Sequence, residues 1–171
     1  IRARRRAMEV LDYYQRVSKK PWRYDGCSPQ IGIREGARVV GDYVLKLEDL
    51  RAGRKFDDAI ARGVYALDGH KPDDDKRTYI LSIKDRKVPP YQIPFRSLLA
   101  RDGVNLMAVG RCFSADQLAL SSARVSTTCS MMGQAAGIAG AMSAAKSCDP
   151  RKLDFSEVRR QVEQRGALLN I

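Results

Sequence analysis

The residues best suited to chemistry lie between positions 105 and 140, where a short apolar run, a glycine, a loop and a helix rich in small residues follow one another. Ser126 predicts a cap at the start of that helix, because a serine side chain accepts hydrogen bonds from the free N–H groups of a first helical turn. Those N–H groups and the helix dipole place roughly half a positive charge at the helix start. An electron-rich group is stabilised there, and reduced flavin, phosphate and carboxylate all qualify.

Charged residues outside the helix supply further candidates for handling a substrate. Arg34 and Glu35 are adjacent in the sequence and predict either a structural ion pair or two groups that orient a substrate. Arg124 directly precedes the helix, where it would bind an anionic substrate or pair with a carboxylate. His70 is the only histidine and is interpreted as a surface residue beside an aspartate-rich loop.

Hydrophobic periodicity predicts the elements that must position these residues. Helices are predicted over residues 2–17, 57–62, 126–146 and 155–164, and strands over residues 37–45, 77–84, 91–93 and 105–109. The last strand is a continuous apolar run, which favours burial on both faces. The other strands indicate an antiparallel sheet in a subdomain of the substrate-binding type. The three glycines within residues 126–146 cost that helix about 1 kcal/mol each relative to alanine, which favours close packing against a sheet or a planar cofactor.

Charge and cysteine spacing argue against several classes of function. The net charge of +11 is dispersed: residues 1–60 hold 14 basic and 9 acidic groups, residues 61–120 hold 10 and 7, and residues 121–171 hold 7 and 4. A nucleic-acid binder usually concentrates its charge on one face, so no specific nucleic acid is expected as a partner, and a basic nucleic-acid-binding module remains the alternative. The four cysteines form no C-x-x-C pair, which predicts reduced thiols, mostly buried, with neither a metal nor an iron–sulfur cluster. No apolar stretch reaches the roughly 18 residues that cross a bilayer, so we expect no membrane partner and a cytoplasmic location.

Four blocks of the sequence resemble a large flavoprotein family, the FAD-dependent oxidoreductases related to the flavoprotein subunit of heterodisulfide reductase. The blocks occur in order, with plausible spacing, across roughly residues 31–166. They are IGIREGARVVGDYVL at 31–45, FDDAIARG at 56–63, IPFRSLL at 93–99, and NLMAVGRCFSA at 105–115 followed by residues 124–125 and 128–137. Between those last two ranges the chain has Ser126-Thr127 where the family pattern has Met-Pro.

The resemblance implies an FAD cofactor and hydride or electron transfer between the flavin and a small-molecule substrate. It implies an α/β fold in which a Rossmann-like FAD domain is interrupted by a β-rich substrate subdomain. Residues 1–103 would belong mostly to the substrate subdomain, residues 104–146 would be the return segment of the FAD domain, and residues 147–171 would form a C-terminal helical segment. The residues implied to bind the cofactor are Gly110, Arg111, Cys112, Ser126, Thr127, Thr128 and Cys129.

The chain departs from the family pattern at positions that bear on function. It contains no G-x-G-x-x-G, the loop that usually binds the pyrophosphate, and no initiator Met. We therefore interpret it as the C-terminal part of an oxidoreductase whose N-terminal FAD-binding portion is a missing partner; the alternative is a non-catalytic subdomain unable to hold FAD alone. Relatives often carry Thr-His where this chain has Asp116-Gln117, and a glutamine cannot handle protons. Gln117 joins Arg34, Glu35 and Arg124 as a candidate for the catalytic site.

Overall fold

The computed structural model describes residues 2–69 and 82–171 of the chain. The chain divides into two compact units, Ile1–Ile33 and Arg34–Ile171. Helices and a small antiparallel sheet together confirm the α/β class that the sequence predicts. The predicted loop around Asp73–Asp75 and the predicted surface position of His70 lie outside the described residues.

The first unit is dominated by one amphipathic helix. Helix α1 spans Arg2–Val17, as predicted, and none of its residues is buried. Ion pairs spaced three or four residues apart support it, with Arg6 2.5 Å from Glu9 and Arg16 2.5 Å from Asp12. Such exposed pairs contribute only about 0.3–0.5 kcal/mol each, so they add little to the stability of the helix.

The second unit is built on a two-stranded antiparallel sheet covered by helices. Strand β1 spans Ala59–Gly63 and pairs with strand β2 at Tyr91–Pro94, in a register that sets Gly63 opposite Tyr91. Every residue of β2 is buried. A Cβ atom at Gly63 would lie 2.4 Å from the Tyr91 ring, so only glycine permits the two strands to approach this closely.

Short helices and two longer ones complete this unit. Helix α2 spans Leu47–Arg51 and helix α3 spans Ile83–Arg86. Helix α4 spans Gln117–Ala123, helix α5 spans Ser126–Ala145 and helix α6 spans Phe155–Gln164. The structure confirms the predictions for α5 and α6, and β2 confirms the strand predicted at 91–93. The core beneath them is apolar, and its largest fully buried side chains include Phe95, Phe113, Leu120 and Met132.

Four predicted elements are wrong in whole or in part. The sequence predicts a helix over residues 57–62, but residues 59–63 form β1, because pairing with the distant β2 overrides the local pattern. Residues 37–45 do not form a regular strand: they make two isolated bridges, Gly41 with Ala100 and Leu45 with Ala115, with a bend at residues 42–43 between them. Of the strand predicted at 77–84, residues 77–81 lie outside the described residues and residues 83–86 form α3.

The apolar run at residues 105–109 differs most from its prediction. It forms one isolated bridge, between Met107 and Leu99, and is not a regular strand. It is also not buried on both faces, since Leu106 is 52% exposed. Hydrogen bonds from Ala108 N–H to the Leu98 carbonyl (2.8 Å) and from Ala100 N–H to the Leu106 carbonyl (3.2 Å) nevertheless hold it against residues 98–100.

Candidate functional site

A sharp connection between α4 and α5 positions most of the candidate residues. Asp116 caps α4, since its Oδ1 atom accepts a hydrogen bond from Ala119 N–H at 2.7 Å. Its Oδ2 atom accepts from Leu47 N–H at 2.8 Å, which ties the start of α4 to α2. Arg124 ends α4, a single extended residue, Val125, follows, and α5 begins. Arg124 and the first turn of α5 are therefore held in one fixed arrangement.

The start of α5 differs from its prediction in one respect. Ser126 is the first helical residue, and the N-cap is Val125, whose side chain provides no capping hydrogen bond. The first helical hydrogen bond runs from Cys129 N–H to the Val125 carbonyl at 2.9 Å. The N–H groups of Ser126, Thr127 and Thr128 therefore have no acceptor within the helix. Ser126 and Thr127 are exposed and Thr128 is buried, so the end of α5 is accessible along one side.

The predicted segment Gly110–Cys112 forms a short 3-10 turn next to this helix start. Gly110 adopts a φ of +67°, which favours glycine, and a Cβ atom there would lie 3.8 Å from the Cys129 sulfur. The Cys112 carbonyl accepts a hydrogen bond from Val39 N–H at 3.0 Å. The structure thus brings the two groups of predicted cofactor-binding residues into contact.

The thiols at this point show no sign of nucleophilic activation. All four cysteines are free, as predicted. Cys27 and Cys112 are exposed, which corrects the expectation that the cysteines are mostly buried. Burial raises the pKa of the Cys129 thiol, and the positive charge of Arg111 acts in the opposite direction. Cys129 is therefore a neutral thiol at physiological pH, and thiolate chemistry is not assigned to it.

The polar candidates converge on one buried guanidinium. The Arg124 side chain is only 5% exposed. Its Nη1 atom lies 2.5 Å from Oε1 of Glu35, and its Nη2 atom donates to the Asp68 carbonyl at 2.6 Å. The Arg34 carbonyl accepts a further bond from Nη1 at 3.3 Å, and the Arg34 guanidinium pairs with the Asp68 carboxylate at 3.3 Å. Of the two alternatives for Arg124, the structure therefore shows pairing with a carboxylate.

Gln117 completes this cluster from the first turn of α4. Its Nε2 atom donates to Oε2 of Glu35 at 3.3 Å. The four candidates that the sequence indicates thus lie together, although Arg34 and Glu35 find partners other than each other. Asp68 is a member that sequence reasoning missed, because no motif marks it and its two arginine partners are distant in the sequence. The two arginines and two carboxylates balance in formal charge, so the cluster fixes structure without leaving an unmatched charge.

Helix α5 has one buried face and one open face. Thr128, Met132, Ala135, Ala139 and Ser143 are buried. On the other side, Cβ atoms added at Gly133 and Gly137 would meet nothing within 4 Å, and only Gly140 approaches a neighbour, the Met107 methyl group at 3.7 Å. The close packing predicted for the three glycines is therefore supplied by described residues only at Gly140.

Two kinds of feature do not occur in the described part of the chain. Within residues 2–69 and 82–171, no group of three or more His, Cys, Asp or Glu side chains is arranged to hold a metal ion. No helix in the same ranges is long and apolar enough to cross a membrane.

Comparison with known proteins gives one match. The model of a family described as FAD dependent oxidoreductase matches residues 2–162. No curated protein and no solved structure matches the chain. The family match covers both units and every candidate residue described above.

Proposed function

The chain belongs to the FAD dependent oxidoreductase family, and from that premise we propose that the start of α5 and the Gly110–Cys112 turn border the redox-active end of FAD. The family uses FAD, and its members are oxidoreductases. When bound, FAD accepts or donates the hydride or electron pair that is exchanged with a small-molecule substrate. The four sequence blocks further support a relation to the flavoprotein subunit of heterodisulfide reductase within this family.

The uncapped start of α5 is the observation that carries this proposal. A helix of 20 residues presents a macrodipole at its N-terminus, and here the N-cap residue Val125 provides no side-chain hydrogen bond to the N–H groups of the first turn. Backbone donors at such an end stabilise negative charge, which matches the electron-rich pyrimidine edge of reduced flavin. Gly110 allows the neighbouring turn to approach the same point without a side chain in the way.

The open face of α5 indicates that another surface packs against it. The helix contains no charged residue, and apart from Gln134 its side chains are small or apolar, a composition that favours packing against a neighbouring surface. Gly133 and Gly137 leave room for a flat surface to approach closely. We take this surface to be the FAD-binding portion of the full-length protein, which would also supply the missing pyrophosphate loop. On this basis residues 104–146 serve as the return segment of the FAD domain, residues 1–103 mostly as substrate subdomain and residues 147–171 as a C-terminal segment.

The residues of this chain then divide into two roles. The N–H groups of Ser126, Thr127 and Thr128 bind and stabilise charge, and the Gly110–Cys112 turn borders the cofactor. Arg124, Glu35, Arg34 and Gln117 position the start of α5 through the buried cluster. Gln117 carries no titratable proton at physiological pH, so proton transfer is not assigned to it.

A redox titration of the flavin-loaded protein tests the proposal. Ser126→Pro removes one N–H group and suits the fold, because Val125 has the extended backbone (ψ 151°) that precedes proline and proline is favoured at the first helical position. A hydrogen bond to a charged group contributes roughly 1.5–3 kcal/mol, so the two-electron reduction potential should fall by about 30–60 mV.

Ser126→Ala is the matched control, since it removes the hydroxyl but keeps the N–H group. Its potential should stay near the wild-type value. A Ser126→Pro variant that folds, retains FAD and titrates at the wild-type potential would show that this helix start does not face the flavin.

A further inference from the structure

We propose that a cavity beside the Gly110–Cys112 turn binds the carboxylate of a small organic acid. The cavity measures about 310 Å³ and is lined by residues 36–40 together with Val44, Ser114 and Ala115. This inference rests on the proposed function in one respect only, since it takes the bound acid to be the substrate of the flavoprotein.

An unmatched hydroxyl group marks the wall of the cavity. Ser114 is 1% exposed, and its Oγ atom has no hydrogen-bond partner in residues 2–69 and 82–171. Its backbone is firmly held, because its N–H group donates to the Ser97 carbonyl at 3.0 Å and its carbonyl accepts from Leu45 N–H at 3.1 Å. Gly41 makes room for it, since a Cβ atom there would lie 2.8 Å from the Ser114 Cβ atom. A buried hydroxyl without a partner is unfavourable, and a polar ligand atom would supply that partner.

Arg38 supplies the positive charge at the same cavity. It lines the cavity and is exposed, and no carboxylate or carbonyl of the described residues engages its guanidinium group. This contrasts with Arg124, whose donors are occupied by Glu35 and Asp68. A guanidinium group matches a carboxylate through two parallel hydrogen bonds.

The remaining lining limits the class of ligand. Apart from Arg38 and Ser114, the side chains are those of small aliphatic residues, Ala37, Val39, Val40, Val44 and Ala115. The volume is at the lower end of the range for ligand pockets, roughly 300–1,000 Å³. One arginine with apolar surroundings suits a monocarboxylate with a short carbon chain better than a doubly charged phosphate. A polar atom on that chain would pair with the Ser114 hydroxyl.

The position of the cavity connects it to the proposed cofactor site. Val39, in its wall, donates its N–H group to the Cys112 carbonyl at 3.0 Å. Ser114 follows Cys112 by two residues, on the same segment. The cavity therefore adjoins the turn that is proposed to border the flavin, which is where a substrate of the redox reaction must lie.

A titration of the full chain with lactate, followed by backbone amide NMR, tests the inference without any flavin. Lactate should shift the amide signals of residues 36–40 and of Ser114, whereas lactamide and inorganic phosphate should not. Arg38→Gln should weaken lactate binding about tenfold or more, as expected for a charged hydrogen-bonded pair. Arg160→Gln makes the same change of charge on the exposed surface of α6 and should leave the affinity unchanged.

Ser114→Ala separates a binding role from a structural one. It should weaken lactate binding about two- to tenfold, as expected for loss of one neutral hydrogen bond. Because the hydroxyl is unmatched in the described residues, the urea midpoint of the ligand-free variant should not fall. Four results would each overturn the inference. They are a lower urea midpoint in Ser114→Ala, an unchanged lactate affinity in Arg38→Gln, tighter binding of phosphate than of lactate, and no shift of amide signals with lactate. These outcomes are independent of the redox titration, so either proposal can fail alone.

Discussion

Replacing Arg124 with methionine should remove about 3 kcal/mol from the free energy of unfolding. The side chain is 5% exposed and donates to the Glu35 carboxylate at 2.5 Å and to the Asp68 carbonyl at 2.6 Å. Each charged hydrogen bond is worth roughly 1.5–3 kcal/mol, and the longer bond to the Arg34 carbonyl, at 3.3 Å, adds little. Methionine keeps the apolar packing of the stem, and Glu35, whose side chain is 25% exposed, regains contact with water. These two effects keep the net loss near the lower end of the roughly 3–5 kcal/mol that breaking a buried pair removes.

Urea denaturation of the wild type and of Arg124→Met measures this loss directly. Arg160→Met on the exposed face of α6 is the control and should change the free energy of unfolding by less than about 0.5 kcal/mol. The double-mutant cycle with Glu35→Gln should show a coupling energy of about 1–3 kcal/mol, because the two side chains are in contact. Amide exchange at Cys129, whose N–H group donates to the Val125 carbonyl at 2.9 Å, should also accelerate, since Arg124 ends α4 directly before α5.

A loss below about 0.5 kcal/mol in Arg124→Met would refute the reasoning, because a surface substitution produces changes of that size. A large loss combined with no coupling to Glu35 would also contradict it. In that case the hydrogen bond to the Asp68 carbonyl, and not the ion pair with Glu35, would hold the connection between α4 and α5.

Two further predictions concern packing and pH. Gly137→Ala should raise the free energy of unfolding of the chain by about 0.5–1 kcal/mol, because the added Cβ meets nothing within 4 Å in a helix interior. Gly63→Ala should lower it, by roughly 1–3 kcal/mol, because the added Cβ would lie 2.4 Å from the Tyr91 ring. A urea midpoint of Gly137→Ala at or below the wild-type value would contradict the first statement, and a midpoint of Gly63→Ala at or above it would contradict the second. Burial raises the pKa of Tyr91 to about 12. The neutral Tyr91 side chain therefore contributes its full stabilisation below the pKa of the unfolded state, near 10, and this contribution is lost as the pH rises towards 12. The free energy of unfolding should therefore fall by up to about 2–3 kcal/mol between pH 9 and pH 12. In Tyr91→Phe this decrease should be smaller. If the decrease is the same in Tyr91→Phe as in the wild type, groups other than Tyr91 cause it.

The three long helices, α1, α5 and α6, were predictable because their signal is local. The three-to-four-residue spacing of apolar side chains in α1 and α6 reflects the helical repeat itself, and the bounds of both helices agree with the prediction. Strand β1 was not predictable in this way. Its buried residues also fit a short helix, and only pairing with β2, about thirty residues later in the chain, decides the outcome. The prediction that residues 105–109 are buried on both faces was wrong for a related reason, since burial depends on which surfaces cover a segment and not only on its composition.

The sequence indicated four residues of the charged cluster but not how they pair. Arg34, Glu35 and Arg124 stand out in the sequence as charged groups near blocks of interest, and the structure brings them together with Gln117. Their partner Asp68 carries no sequence signal, because its role depends on its carbonyl as well as its carboxylate. The Ser114 hydroxyl was equally invisible, because lacking a partner is a property of the three-dimensional packing.

The start of α5 combines an uncapped helix end with a strong anchor directly before it. A capping side chain would stabilise the helix by about 1 kcal/mol but would occupy one of the N–H groups of the first turn. Val125 provides no cap, and Arg124 holds the same point through Glu35 and Asp68. The helix start is thereby fixed by groups that lie before it in the chain, while its own donors are left for a ligand. With the flavin placed as we propose, the charged cluster acts on the cofactor indirectly, because it determines where those donors point.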